Sequence, residues 1–150
     1  MKTFVALSLL LTATGAVIFE KCEVGKIFKE NGLDGYLGYN LGDWVCLVDN
    51  ESGFNTIKTV FHWTEYMTRK VTKYGIFQIS DDKWCGNSDN YVPYRRCRVS
   101  CDSLMDGDLT DDIRCAKYIA TTENGIETWL SWRKYCKGVN FNHFLDNCQL

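Results

Sequence analysis

Asp43-Trp44-Val45-Cys46-Leu47-Val48-Asp49-Asn50-Glu51-Ser52-Gly53-Phe54-Asn55 joins an apolar helical face to a carboxylate at the helix's end. Leu41, Trp44, Val45 and Val48 recur at i, i+3, i+4 and i+7, the spacing of a helix with one buried face. Asn40 is suited to the N-cap and Gly53 to the C′ stop. The negative end of the helix dipole disfavours an ionised Glu51, and apolar cover raises its pKa further. A carboxyl that keeps its proton near neutral pH is a candidate general acid. The plainer alternative is a solvated glutamate in a last helical turn.

Upstream, Val24, Ile27 and Phe28 share a face in a helix from Cys22 to Asn31 that Gly32 stops, and Leu33 to Tyr36 reads as a turn. Downstream the period changes. Ile57, Thr59, Phe61 and Trp63 alternate with Lys58, Val60, His62 and Thr64, a strand pattern. Glu65 to Lys70 reads as a hairpin connection and Thr72 to Ile79 as the returning strand, with Gly75 marking a close backbone approach. Asp81 to Arg98 has no periodicity and is expected to be loop tied by Cys85 and Cys97. Helical spacing returns at Leu109, Ile113, Ala116, Ile119 and Ala120, and again from Ile126 through Trp129, Leu130 and Arg133. A short helical turn is expected at Phe141 to Leu145. Helices around a small β segment give an α+β fold.

Residues 1–16 read as a secretory signal peptide: Lys2 opens it, Phe4 to Leu11 is mostly apolar, and Thr14-Gly15-Ala16 ends it with small residues. The mature chain, 17–150, is then one secreted domain, expected to be monomeric, with no segment suited to span a bilayer. Setting Lys2 aside leaves 16 of the 17 basic residues against 19 acidic ones, a formal net charge of −3. Such a balance attracts neither nucleic acid nor an anionic surface unless the charge is unevenly spread. The eight cysteines, Cys22, Cys46, Cys85, Cys97, Cys101, Cys115, Cys136 and Cys148, all lie in the mature part, which implies four disulfides. Zinc is the weaker alternative, since there is no Cys-x2-Cys pair and the histidines are His62 and His143 alone.

Asp106-Gly107-Asp108-Leu109-Thr110-Asp111-Asp112 places four carboxylates at the start of a predicted helix. A hard cation such as Ca2+ relieves their repulsion with oxygen ligands, although the spacing is not that of an EF-hand. Capping by Asp108 or Thr110, with acids in the first turn, is the alternative.

Glu51-Ser52-Gly53-Phe54-Asn55-Thr56, Tyr74-Gly75-Ile76-Phe77-Gln78-Ile79, Trp84-Cys85, Cys115-Ala116-Lys117 and Trp129-Leu130-Ser131-Trp132-Arg133, with the order of all eight cysteines, resemble the C-type lysozyme and α-lactalbumin family. The resemblance spans the mature chain. It implies a helical lobe and a small antiparallel β lobe with a sugar-binding cleft between them, and the pairs Cys22–Cys148, Cys46–Cys136, Cys85–Cys101 and Cys97–Cys115. It makes Glu51 the general acid, with Trp129 packed over it. It assigns Gln78, Ser80 and Trp84 to the sugar site, while Lys83 and Thr122 stand where the family commonly has an aromatic and an acid. It implies calcium ligands from the side chains of Asp106, Asp111 and Asp112 and the carbonyls of Ser103 and Asp108. It also makes the segment between Asn55 and Lys73 longer than usual.

The family's second carboxylate would stand before Tyr74-Gly75, where this chain has Lys73. Retaining hydrolysis needs that carboxylate about 5 to 5.5 Å from the acid, to attack or stabilise the cationic sugar. Lys73 can do neither, and it favours the ionised form of a nearby Glu51. Glu65 is a conceivable substitute, and an inverting route needs only a positioned base and water. The leading expectation is a secreted, calcium-binding, lysozyme-like protein that binds amino-sugar polymers of the peptidoglycan or chitin type, with muramidase activity weak or absent. An active antibacterial lysozyme is one alternative, and an α-lactalbumin-like modifier of a galactosyltransferase another.

Overall fold

The computed structural model describes residues 15–86, 96–122 and 124–150. The expected leader, 1–16, lies outside them but for Gly15 and Ala16. The chain is tied in from Val17, whose N–H donates to Thr56 Oγ1 (3.0 Å) and whose carbonyl accepts from the Thr56 N–H (2.9 Å).

The architecture is α+β as expected. Helices α1 (Lys21–Glu30) and α2 (Leu41–Ser52) precede strands β1 (Thr59–Trp63), β2 (Lys70–Tyr74) and β3 (Ile79–Ser80), and helices α3 (Thr110–Ala120) and α4 (Leu130–Tyr135) follow. The strands form one antiparallel sheet in the order β1-β2-β3.

Helix α2 is the centre of the core. Trp44, Val45, Leu47 and Val48 are fully buried, each such side chain contributing about 1.5–3 kcal/mol. Its start is a reciprocal capping box: Asn40 Oδ1 accepts from the Asp43 N–H and Asp43 Oδ2 from the Asn40 N–H, both at 3.0 Å. Its end is Gly53 at φ 58°, a left-handed conformation in which the N–H still reaches the Asp49 carbonyl. Phe28 of α1 stacks on Phe77 with ring centroids 5.4 Å apart, carrying the core toward the sheet.

Four sequence expectations need correction. Strand β1 forms, but its alternation hides no face, because every residue in it is exposed. The returning strand is split by a turn at Gly75, where φ is +74° and a Cβ would stand 2.0 Å from the Leu104 carbonyl oxygen. The close approach expected at Gly75 is therefore real, and it ends β2. The last helical pattern breaks at Trp129 (φ −85°, ψ 113°), with a 3-10 turn (Gly125–Thr128) before it and α4 after it, leaving Leu130 exposed. Helical spacing alone does not reveal that break, which follows from the indole N–H of Trp129 reaching across to the Phe77 carbonyl (2.8 Å). Phe141 to Leu145 forms hydrogen-bonded turns, and the 3-10 segment lies later, at Asp146–Cys148.

All four disulfides take the pairing implied by the resemblance: Cys22–Cys148, Cys46–Cys136, Cys85–Cys101 and Cys97–Cys115. Cys85–Cys101 closes the loop region on itself and Cys97–Cys115 ties it to α3, although its stretch 87–95 lies outside the described residues.

Candidate active site and acidic loop

Glu51 sits in the last turn of α2, and three ties to α4 fix that helix in place. Trp132 Nε1 donates to Asp43 Oδ1 (3.3 Å), Cys46 is bonded to Cys136, and Ser131 Oγ donates to Glu51 Oε1 (2.5 Å). Lys58 Nζ donates to the Glu51 carbonyl (2.7 Å), one of the carbonyls left unpaired at a helix end. Burial pushes the Glu51 carboxyl above its ordinary range, while the Ser131 hydroxyl and then the ammonium charges of Lys73 and Lys58 pull it back. The net shift is upward, so Glu51 retains its proton to higher pH than a solvated glutamate.

Lys73 lies in β2, paired with Val60 on one side and Ser80 on the other, and its charge acts on Glu51. Nearby carboxylates are engaged: Asp81 Oδ1 accepts from the Thr72 N–H (3.0 Å), and Asp82 Oδ1 from Ser80 Oγ (2.5 Å). Glu65 is in the turn beyond the Trp63–Lys70 pair. Lys73 is three residue steps along the strand from Lys70, so strand rise alone places that turn about 10 Å from the Lys73 position.

The sugar-site residues implied by the resemblance are largely engaged by their own fold. Gln78, buried and at φ +50°, donates from Nε2 to the carbonyls of Lys58 and Gly75, both at 2.8 Å. Trp84 is buried, with the Arg96 guanidinium 4.8 Å above its ring and Tyr118 at its edge. Ser80 is half-buried and donates to Asp82. Trp129 is buried against Phe77. Thr122 Oγ1 donates to the Ile119 carbonyl (2.6 Å), and Lys83 is exposed.

Among the acidic residues, Asp112 stands apart. It is fully buried at the start of α3, and neither carboxylate oxygen has a hydrogen-bond partner from another of the described residues. Burial first, then the charges of Asp106, Asp111 and Asp108, push its carboxyl well above the usual range. The others have local partners. Asp106 Oδ1 accepts from the Asp108 N–H, Asp108 Oδ1 from the Thr110 N–H, and Asp111 pairs with Arg114, each at 3.0 Å. Leu109 occupies the N-cap position, so Asp108 caps from one residue before it. Ser103 Oγ donates to the Ser100 carbonyl (2.8 Å). Among the described residues no group of three or more His, Cys, Asp or Glu side chains is gathered to hold a metal ion.

Two residues at Glu51 escape sequence reasoning. Ser131 lies in the segment that carries the resemblance, but nothing in its spacing points to residue 51, which is 80 positions away. Lys58 is legible only as a polar position in a strand pattern; the left-handed residues Gly53 and Phe54 and the turns at Asn55 and Lys58 lie between the helix end and the side chain that returns to it.

The profile of the C-type lysozyme/α-lactalbumin family matches residues 17–148. Pig (Sus scrofa) lysozyme C-3 is 37% identical over 152 residues, covering 100% of both chains. Lysozyme C of the turtle Pelodiscus sinensis is 39% identical over 133 residues, covering 89% of this chain and 98% of its own. A crystal structure of canine milk lysozyme, stabilised against non-enzymatic deamidation, superposes with a TM-score of 0.80 at 34% identity over 89% of this chain and 100% of that one. With four matching disulfides, a glutamate at the end of the second helix and a three-stranded antiparallel sheet beside it, the chain belongs to the C-type lysozyme/α-lactalbumin family.

Proposed function

We propose that this protein is a secreted, calcium-binding, lysozyme-like carbohydrate binder that engages amino-sugar polymers of the peptidoglycan or chitin type and hydrolyses them slowly or not at all. One observation carries the reading: the charged group that acts on Glu51 from the sheet is the ammonium of Lys73, in strand β2. A unit charge about 4 Å from another interacts by about 4 kcal/mol at an effective dielectric near 20. A cation beside an oxocarbenium-like centre therefore opposes the transition state where a carboxylate would stabilise it.

Glu51 supplies the half of the chemistry that survives. Held by Ser131 and raised in pKa, it can protonate a glycosidic oxygen. That is the specific support for the second reading, an active muramidase using water and another base. Cell-wall lysis by the wild type, Glu51→Gln and Lys73→Asp, beside chitooligosaccharide binding on the same samples, separates the two. Sugar binding without lysis, and lysis gained with Lys73→Asp, is the expected result; robust wild-type lysis would sink the proposal.

Calcium is proposed at the acidic loop. The buried, unpartnered carboxylate of Asp112 in the field of three other acids supports it, and the donors are all oxygen, as a hard cation requires. The side chains of Asp106 and Asp111, with the carbonyls of Ser103 and Asp108, would complete the set. A bound ion would neutralise the loop and stabilise the native state. Secretion is proposed from the leader-like residues 1–16 and supported by four disulfides, which persist in oxidising compartments. No helix among the described residues is long and apolar enough to cross a membrane.

A further inference from the structure

The hairpin of β1 and β2 leaves its large apolar side chains uncovered. Phe61 is 58% exposed, Trp63 50%, Tyr66 80% and Met67 72%. The register pairs Phe61 with Thr72 and Trp63 with Lys70, and paired residues share a face of the sheet. Lys70 Nζ sits 4.4 Å from the centroid of the Phe61 ring. The tip is closed by backbone hydrogen bonds, Thr64 N–H donating to the Arg69 carbonyl and Met67 N–H to the Thr64 carbonyl, both at 2.8 Å. Soluble proteins rarely leave such a patch bare unless it meets something.

Charge narrows what it meets. Residues 57–74 hold four cations against Glu65 alone in a chain whose total is −2; Lys58 and Lys73 act on Glu51, which leaves Arg69 and Lys70 as the exposed cations at the hairpin tip. The uneven spread that net charge alone could not reveal is concentrated on this hairpin. A soluble polyanion needs the cations and gains little from four uncovered apolar and aromatic groups. Aromatic rings and cations side by side match the boundary between acyl chains and anionic headgroups, where rings sit at headgroup level and lysine or arginine neutralises the surface.

We propose that the β1–β2 hairpin docks the protein on anionic lipid surfaces, with Phe61, Trp63, Tyr66 and Met67 entering the headgroup boundary and Arg69 and Lys70 meeting the phosphates. This contact is independent of sugar binding and of Glu51. Co-sedimentation of the oxidised protein with vesicles of equimolar phosphatidylglycerol and phosphatidylcholine, against phosphatidylcholine alone, tests it. Binding is expected to be at least ~10-fold tighter to the anionic vesicles and to fall by ~10-fold or more when Phe61, Trp63, Tyr66 and Met67 are all changed to Ser. Should that variant misfold, bromine-labelled acyl chains are expected to quench wild-type tryptophan fluorescence, and Trp63→Phe to remove the quenching. Equal binding by the serine variant, or absence of bromine quenching, would overturn the proposal. Arg69→Glu/Lys70→Glu is expected to weaken binding as well, since those side chains meet the phosphates; a dimer through this edge that leaves vesicles unbound would also overturn the proposal.

Discussion

Glu51 at the end of α2 and Asp112 at the start of α3 are both carboxylates taken out of water, and both have raised pKa values for that reason first. They differ in what the chain provides for them. Glu51 has a serine hydroxyl on one oxygen and two ammonium charges in range, whereas Asp112 has three further acids and, among the described residues, no hydrogen-bond donor beyond its own backbone N–H. Leaving a buried polar group unpaired costs about 1–3 kcal/mol, and more for a charged one. A fold that satisfies one carboxylate internally and not the other leaves the second to an outside cation or a proton. It also leaves the first surrounded by positive charge where hydrolysis of this type needs a negative one.

The difference can be broken most forcefully at Lys73. Exchanging it for Asp reverses the charge facing the sugar, and lysis is expected to rise by roughly 100-fold or more, each tenfold being about 1.4 kcal/mol. The same exchange made on Glu51→Gln should gain nothing, because the acid is then missing. Gly75 lies between the two regions, two residues from Lys73, and a Cβ there would stand 2.0 Å from Leu104 O and 3.3 Å from Asp112 Oδ1. Gly75→Ala is expected to destabilise by about 3 kcal/mol through backbone clash and positive φ, read as a lower denaturation midpoint.

Calcium at a hundredfold excess over its Kd should add about 2.7 kcal/mol. That is a rise in Tm on the order of 10 °C in low salt, reversed by EDTA. Asp112→Asn should erase the response and Glu51→Gln leave it intact; a melt insensitive to chelation would falsify the calcium assignment. The smallest effect is in the pH dependence of Glu51. Its folded pKa lies above the unfolded one, so as pH rises the unfolded state ionises first and stability is lost up to the folded pKa. Glu51→Gln is therefore expected to melt slightly higher than wild type at neutral pH, with the gap closing in acid.

The sequence made α2 legible in nearly all its parts, because capping, apolar spacing and a terminal glycine are local signals that agree. The same was true of the close approach at Gly75. What it could not show was any contact between distant segments. Ser131 and Lys58 reach Glu51 only after α4 and the sheet have been placed, and Trp129 leaves the helix to bond a carbonyl 52 residues earlier in the chain. Strand β1 showed the opposite failure: its alternation was correct for a strand, yet the burial that alternation ordinarily signals is absent. At the sugar-site positions the resemblance identified where residues fall, whereas the hydrogen bonds of Gln78 and the cover over Trp84 are properties of this chain's own packing.

The disulfide pattern also determines what becomes of the molecule after proteolysis. The exposed hairpin tip offers Arg69 and Lys70 to a trypsin-like protease, and a cut there falls between Cys46 and Cys85. Two bonds, Cys22–Cys148 and Cys46–Cys136, bridge the two pieces on either side of it. The nicked protein would remain one covalent particle, migrating whole on a non-reducing gel and separating into two bands only under reduction. The hairpin can thus lose its continuity while Glu51, Ser131 and the helical core remain attached.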